Sequence, residues 1–285
     1  MSKLRPSLLL LLALTGCGQA LPAATQAPAG GLAVREADLP TTASGHKLGY
    51  DFQRGAGGDA PQELPRQGII PPAVDLRSYC PPVYDQGDLG CCTAFAIAKG
   101  LRELQQRQRK ETSTPLSALF FYYEERAPLR KTGQDTGATI ADGMKVLLNE
   151  GCAPETDFPF QPARFTVKPA AAAYQHAGTW KVGKTYHLGS LDSVKTSLAR
   201  GYAVAMGFEC YSSFDKVGKD GWMAMPKAGE KKDGGHACVA VGYNDKAQCL
   251  IVRNSWGASW GDKGYFYMPY AYASSKAVDE YWAAW

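Results

Sequence analysis

Two apolar runs near the C-terminal end of the chain predict a buried antiparallel hairpin. The first run is Ala237–Tyr243 and the second is Gln248–Asn254. The four residues between them, Asn244–Ala247, are typical of a turn. Because a hairpin fixes which residues face each other, this feature constrains the fold more than any other part of the sequence.

The predicted hairpin brings a histidine and an asparagine together. If the turn occupies those four residues, Tyr243 faces Gln248, and His236 lies opposite Ser255, one position from Asn254. An asparagine side chain can orient an imidazole, and an oriented imidazole can act as a general acid or base. We therefore expect His236 and Asn254 to belong to one site.

A helix is predicted to begin near Cys92, after the loop that contains Gly90. Apolar residues recur at three- and four-residue steps from Ala94 to Leu104, and charged or polar residues fill the other face. Backbone N–H groups at a helix N-terminus favour a thiolate, so we expect the pKa of the Cys92 thiol to lie below its usual value of about 8.5. The alternative is a small, inert, buried cysteine.

The cysteine count also points to a free thiol. The chain has eight cysteines, and an odd number remains if Cys17 carries a lipid, so an exported form leaves at least one unpaired. The sequence does not assign the pairing of the others. It contains no C-x-x-C pair and no cysteine–histidine spacing typical of zinc. We therefore expect no metal and no other cofactor.

The N-terminal residues are typical of an export signal. A basic start is followed by an apolar stretch from Leu8 to Leu14 that is too short to cross a bilayer. Leu14-Thr15-Gly16-Cys17 resembles a bacterial lipobox, in which the chain is cut before the cysteine and the thiol is lipidated. We expect residues 1–16 to be a signal peptide and Cys17 to anchor the protein in the cell envelope by lipid alone. The alternative is secretion after cleavage behind Ala20.

Charge and composition divide the rest of the chain and exclude one class of partner. The net charge is only +4 and no run of five Lys or Arg occurs, so we expect no nucleic-acid partner. Residues 17–71 begin as a linker rich in Ala, Pro, Gly and Thr. Apolar residues recur regularly only from Pro72, which predicts one folded domain over residues 72–285.

Three sequence blocks resemble the papain-like cysteine peptidases, and a bacterial branch of them. They are Gln86-Gly87 followed by Gly90-Cys91-Cys92, then Gly235-His236-Ala237, then Asn254-Ser255-Trp256-Gly257. The blocks occur in the family's order, and the resemblance extends from Pro72 to the C-terminus. It implies an α+β fold in which a helical left half and a β-barrel-like right half enclose an active-site cleft.

The resemblance also implies a role for each matching residue. The roles are nucleophile for Cys92, general acid/base for His236, orientation of the imidazole for Asn254, oxyanion donor for Gln86, indole cover for Trp256, and backbone binding of the substrate for Gly137. A monomeric cysteine-type peptidase acting on a peptide or protein substrate is implied. A Cys-His-Asn acyltransferase and a catalytically silent envelope binding protein remain alternatives.

Three positions around the implied nucleophile depart from the family pattern. Leu89 stands where many members have a disulfide-forming cysteine, Cys91 is unusual directly before the nucleophile, and Thr93 replaces the usual tryptophan. This form is similar to that of bacterial members. The long helical propeptide of many relatives is not visible.

The stretch between His46 and Pro71 carries more apolar side chains than a free linker requires. Because the stretch is tethered to the domain, its effective concentration at the cleft can be on the order of millimolar. We expect Lys47–Phe52 to lie in or across the cleft as a short inhibitory strand. The alternative is that its side chains pack on the outside of the domain.

Two further features are interpreted as structural. His46, His176 and His187 have no cysteine or asparagine pattern around them, so we expect surface or structural roles. The aromatic run Leu116–Tyr123 is typical of a helix that packs in the core.

Overall fold

The hairpin lies within an antiparallel sheet in the computed structural model, which describes residues 39–55 and 68–285. The strands are β1 (Ala73–Asp75), β2 (Thr185–His187), β3 (Val204–Tyr211), β4 (Lys232–Asn244), β5 (Cys249–Arg253), β6 (Tyr265–Pro269) and β7 (Val278–Ala284). The order across the seven-stranded sheet is β2-β7-β3-β4-β5-β6, and β1 pairs with β4. The predicted signal peptide, Cys17 and much of the predicted linker lie outside the described residues.

The turn of the hairpin is displaced from its expected place. β4 continues through Asn244, the turn is formed by residues 245–248, and Tyr243 therefore faces Leu250 instead of its expected partner. The Asn244 side chain accepts a hydrogen bond from the backbone N–H of Ala247 at 3.0 Å. This bond lets Asn244 stabilise the turn from the last position of β4, so the turn starts one residue later than predicted.

A bulge changes the register once more along the same pair of strands. Beyond it Val239 faces Arg253, so the pairing is offset by one residue from the prediction. The expectation that His236 lies directly opposite Ser255 is therefore wrong. His236 and Asn254 still lie close together at this end of the two strands, and their side chains are joined by a hydrogen bond.

The helices form the second part of the fold. They are α1 (Phe52–Gly55), α2 (Cys92–Ala94), α3 (Glu103–Gln108), α4 (Ala118–Arg126), α5 (Ile140–Asn149), α6 (Ala171–Ala177), α7 (Leu191–Ala199) and α8 (Tyr270–Ala273). A π-helix, Phe95–Arg102, joins α2 to α3, so that a continuous helical stretch starts at Cys92 as predicted.

This central helical stretch is buried on all sides, whereas the sequence predicts one polar face. Lys99 and Glu103 lie on the expected polar face, yet both are buried, with their charged groups 3.6 Å apart. The Lys99 ammonium also lies 2.9 Å from Glu155. Buried charges are tolerated where they are paired, so these residues are compatible with a core position.

The central helix packs closely against β4, the strand that carries His236. A Cβ atom on Gly100 would lie 2.6 Å from the side chain of Val239, so a larger residue there would push helix and sheet apart. The helix that bears Cys92 and the strand that bears His236 are thus held together by direct packing.

The aromatic run forms core, as predicted. Leu116, Phe120, Phe121 and Tyr122 are fully buried, and most of the run lies in α4. Seven cysteines fall within the described residues; all are buried, and none is in a disulfide. Among residues 39–55 and 68–285, no helix has the length and apolar character needed to span a membrane.

Candidate active site

The imidazole of His236 is oriented by Asn254. Nε2 of His236 lies 2.8 Å from Oδ1 of Asn254, and both residues are buried. The same oxygen accepts hydrogen bonds from the backbone N–H of Ser255 at 2.8 Å and from the Cys238 thiol at 3.4 Å. Because Oδ1 is an acceptor, Nε2 carries the proton and Nδ1 keeps its lone pair. Nδ1 is thus available as a proton acceptor.

Cys92 lies in the first turn of α2, which packs against β4, the strand that carries His236. Backbone N–H groups of Ala237, Gly49 and Thr93 lie within hydrogen-bonding reach of its sulfur. Ala237 follows His236 in β4, so the thiol meets the strand next to the histidine, whose Nδ1 has no hydrogen-bond partner among the described residues. The sequence prediction that Cys92 lies at a helix N-terminus is confirmed by the structure.

The pair is neutral in this arrangement, which corrects the expected low thiol pKa. Burial raises the pKa of Cys92 to about 12, which outweighs the three N–H groups that favour the thiolate. Burial also lowers the pKa of His236 to about 4, although the bond to Asn254 favours its charged form. The residues that shield Cys92 and His236 from water therefore decide whether the thiol and the imidazole are charged.

The side-chain amide of Gln86 lies between the loop before Cys92, the N-terminal segment and Ser255. Its Nε2 donates to the carbonyl oxygens of Leu89 at 3.0 Å and of Lys47 at 3.3 Å. Its Oε1 accepts a hydrogen bond from the Ser255 hydroxyl at 2.6 Å, which fixes which end of the amide points into the site. Ser255 is a positioning residue that the motif contains but that sequence reasoning did not assign.

Trp256 covers the histidine, and a second histidine lies on the same indole. The ring centroids of Trp256 and His236 are 4.7 Å apart, and the planes are inclined by 29°. His46 stacks on Trp256 at 4.3 Å with an inclination of 4°. His46 therefore belongs to the site, which sequence reasoning missed because nothing near it in the chain resembles a motif.

The N-terminal segment, residues 39–55, runs along the cleft and pairs with both walls like a strand at Tyr50, before α1 begins at Phe52. Tyr50 donates its backbone N–H to Gly235 at 3.0 Å, and Ala138 donates to the carbonyl oxygen of Gly49 at 3.0 Å. Asp51 in turn donates to Ala138 at 3.0 Å. The expected placement of Lys47–Phe52 across the cleft is confirmed, and Leu48 and Tyr50 are buried there.

Gly137 contributes space for the N-terminal segment, and the substrate hydrogen bond that the resemblance implies for it stays a prediction. Its own N–H points to the Tyr122 hydroxyl at 3.0 Å, and its φ is +67°. A Cβ at this position would lie 1.9 Å from the carbonyl oxygen of Gly49. The neighbouring Ala138 makes the strand-like bonds, so glycine is needed at 137 to let the N-terminal segment approach.

A buried carboxylate ties the loop before Cys92 to the N-terminal segment. Asp135 accepts hydrogen bonds from the backbone N–H of Gly90 at 3.2 Å and from the Tyr122 hydroxyl. The Lys47 ammonium lies 3.2 Å from its Oδ2. Asp135 is 1% exposed, so an ammonium supplied by the N-terminal segment balances a charge buried behind the site.

Thr93, which replaces the usual tryptophan, has a defined partner. Its hydroxyl donates to Oε2 of Glu125 at 2.8 Å. Glu125 is buried, and its burial raises the pKa of the carboxyl well above the ordinary value. Leu89 and Cys91 are both buried next to the loop.

A cysteine at a helix N-terminus, packed against the strand of an oriented imidazole and close to an amide donor, is typical of one class of protein: a thiol-dependent acyl-transfer enzyme. The comparisons then identify the family. The sequence matches the Papain family cysteine protease over residues 70–282. The chain therefore belongs to the papain family of cysteine proteases, and its fold is papain-like.

Individual relatives agree with this assignment. An uncharacterised peptidase C1-like protein of Acanthamoeba polyphaga mimivirus is 37% identical over 70% of this chain and 68% of that protein. Cysteine proteinase 3 of Entamoeba histolytica is 28% identical over 69% of this chain and 62% of that protein. Xylellain, a cysteine protease from Xylella fastidiosa, has 32% sequence identity to this chain. Its crystal structure superimposes with a TM-score of 0.74, over 83% of this chain and 95% of that chain. The chain thus spans about two thirds of the length of the two curated relatives.

Proposed function

We propose that this chain hydrolyses peptide bonds by thiol chemistry and that its N-terminal segment keeps it latent. Once water reaches the pair, His236 takes the proton of Cys92, and the thiolate attacks the peptide carbonyl. Gln86 and the backbone N–H of Cys92 stabilise the oxyanion, and His236 then protonates the leaving amine. Asn254 holds the imidazole in the required tautomer, and water finally releases the acyl group.

One observation carries the proposal of latency. The Gln86 amide, which has the role of oxyanion donor in this mechanism, already donates to the carbonyl oxygen of Lys47. The thiol faces the backbone N–H of Gly49, which is not an electrophile. The N-terminal segment thus engages both the Gln86 amide and the Cys92 thiol, and a substrate must displace the segment to reach them.

A glycine in the N-terminal segment provides the test. A Cβ on Gly49 would lie 1.9 Å from the backbone oxygen of Gly90, so Gly49→Ala must move the segment. We expect full-length Gly49→Ala to cleave a small peptide amide at least about tenfold faster than the unaltered chain. Weakening the closed form by roughly 1.4 kcal/mol raises the fraction of open molecules tenfold. Gly178→Ala is the matched control, because the space around Gly178 is open.

A shortened chain gives the second arm of this test. A chain that starts at Pro71 should turn over the same substrate as fast as the Gly49→Ala variant, and an added peptide with the sequence of Lys47–Phe52 should slow it. In either active form, His236→Ala should lower the rate at least about 10²-fold. Equal turnover and equal labelling of the Cys92 thiol in all forms would exclude latency.

We also propose that the protein is an exported, monomeric lipoprotein of a bacterial branch of the family. Leu14-Thr15-Gly16-Cys17 supports lipidation at Cys17 after removal of residues 1–16. The similarity to xylellain supports the bacterial branch. In this proposal residues 17–71 form an anchor, a linker and a short pro-segment, and residues 72–285 form the peptidase domain.

A further inference from the structure

The thiol of Cys238 bonds to the side chain that orients His236. Cys238 lies two residues after His236 in β4, so both side chains point to the same face of the strand. Its Sγ donates to Oδ1 of Asn254 at 3.4 Å, and Nε2 of His236 donates to the same oxygen at 2.8 Å. The thiol is therefore one hydrogen bond removed from the imidazole, and the mechanism above gives it no role.

Oδ1 of Asn254 has more donors than lone pairs. The backbone N–H of Ser255 also donates to it at 2.8 Å, so three donors meet one oxygen. A carboxamide oxygen has two lone pairs. The donors therefore compete, and the strength of the bond to His236 depends on the other two. Of these two competitors, the thiol of Cys238 is the one that a side chain supplies.

Water is excluded from this competition. His236, Cys238 and Asn254 are 0%, 1% and 3% exposed. The rings of Phe208 and Phe214 lie 5.8 and 6.2 Å from the imidazole, measured between ring centroids. Nδ2 of Asn254 is buried with no acceptor among the described residues, so the carboxamide acts through its oxygen. A donor lost from this oxygen is thus not replaced by solvent, and a change in one hydrogen bond is felt by the others.

The titratable groups that face this network come from three other elements. They are the thiol of Cys92 in α2, the thiol of Cys210 in β3 and the imidazole of His46 in the N-terminal segment. Burial lowers the pKa of His236 to about 4, the bond to Asn254 raises it, and His46 lowers it further. The bond to Asn254 is thus the contact that favours the charged imidazole.

A thiol competes for this oxygen without capturing it. An S–H group is a weak donor, whereas an aliphatic side chain in the same place donates nothing. The positive end of the S–H bond at Oδ1 opposes the positive charge of the imidazolium next to it. A proton on His236 is therefore released more easily than it would be without Cys238.

We propose that Cys238 is a positioning residue that acts through Asn254: its thiol competes for Oδ1 and keeps the proton of the His236 imidazolium transferable to the leaving amine. The proposal rests on the proposed peptidase function, in which His236 delivers that proton. It gives the thiol a role in general acid catalysis without contact with the substrate.

Titration of the histidine tests this role without any cleavage. The chain has four histidines, so a full-length Gly49→Ala, Cys92→Ala protein gives four imidazole signals by NMR, and His236→Ala assigns one of them. Cys238→Ala and Cys238→Val both remove the donor. Each should raise the pKa of His236 by about 0.5, the shift that corresponds to a weak hydrogen bond. Cys238→Ser keeps a donor and should not raise it.

Matched substrates test the effect on proton transfer. In the full-length Gly49→Ala chain, Cys238→Ala should move the alkaline limb of kcat/KM to higher pH by the same amount. The ratio of kcat/KM for a peptide amide to that for a phenyl ester of the same peptide should fall about two- to threefold, because only the amide needs a proton on its leaving group. Cys152→Ala is the control, since Cys152 also donates to a buried carbonyl oxygen, that of Ser117 at 3.5 Å.

The outcomes separate the two proposals. A raised pKa of His236 in a chain that cleaves no peptide would support the contact and overturn the peptidase. A pKa that stays the same or falls in Cys238→Ala and Cys238→Val, or that rises equally in Cys238→Ser or Cys152→Ala, would overturn the role of Cys238. Thermal unfolding checks that each variant folds. If Cys238→Ala is unstable, Cys238→Val keeps the test decisive, because valine lacks the donor but fills the space.

Discussion

The imidazole of His46 lies parallel to the indole of Trp256, with ring centroids 4.3 Å apart. This contact joins the N-terminal segment to the residue that covers His236. Stacked aromatic pairs contribute about 0.5–1.5 kcal/mol beyond their buried area. The contact therefore belongs to the interactions that hold the segment in the cleft.

His46→Ala should raise the residual activity of the full-length protein about two- to tenfold, because that stacking free energy is lost only from the closed form. The measurement is the initial rate on a small peptide amide. His176→Ala is the control, since His176 is an exposed histidine that pairs with Asp157 away from the cleft. Equal rates for the two variants would remove His46 from the closing contacts.

The pH dependence of thiol labelling should report the closed form. A thiol whose pKa is raised by burial to about 12 stays protonated below that pH, so iodoacetamide should label Cys92 of the full-length chain slowly up to about pH 10. The open form binds fewer protons on this thiol, so rising pH above about 8.5 should favour opening. Gly49→Ala should already be labelled near pH 7.

Counting modified residues by mass spectrometry assigns the label. The other described cysteines are also buried, so Cys92→Ala provides the background rate. Fast labelling of the unaltered chain at pH 7, at the rate of Gly49→Ala, would contradict a thiol desolvated by the N-terminal segment.

Cys17→Ser should release the protein from membranes without changing its specific activity. The lipid is the proposed attachment, and the sequence between Cys17 and the domain is linker-like, so the site is independent of the anchor. Fractionation followed by a peptidase assay measures both quantities. A wild-type protein that is already soluble outside the cell would contradict lipidation.

Thr93→Val should lower the free energy of unfolding by about 1–3 kcal/mol, because it leaves the buried carboxyl of Glu125 without its hydroxyl donor. Thr93→Ser keeps the hydroxyl and should retain most of the stability. Urea unfolding of the two variants and of the unaltered chain gives the comparison. A Thr93→Val variant as stable as Thr93→Ser would show that the hydrogen bond contributes nothing.

The sequence predicted the placement of three residues better than the details that surround them. His236 meets Asn254, and Cys92 begins the helix that packs against the strand of His236, because each lies at a defined point of a helix or strand whose apolar pattern is readable. Their catalytic roles stay predictions. The hairpin register was wrong because Asn244 bonds to its own turn and a bulge follows in β4. Both depend on local geometry that several registers of the same apolar pattern allow.

Other features depend on contacts between distant parts of the chain. Lys99 and Arg102 of the central helix are buried because each is paired with a carboxylate from another part of the chain, Lys99 with Glu155 and Arg102 with Glu111. His46 meets Trp256, and Tyr50 meets Glu280, across more than two hundred residues of sequence. No periodicity records such pairs, so sequence reasoning placed the Lys47–Phe52 strand in the cleft but not its individual contacts.

The strand that fills the cleft belongs to the same polypeptide as the cleft, and this decides how the enzyme responds to dilution. An inhibitor supplied by another molecule dissociates when the protein spreads into a large volume, whereas occupancy by a tethered strand is independent of protein concentration. Export into a dilute medium would therefore not switch the enzyme on. In the proposed latent form, the fraction of open molecules responds to a cut before Pro71, to a rise in pH, or to a competitor that binds the cleft more tightly than Gly49 and Tyr50 do.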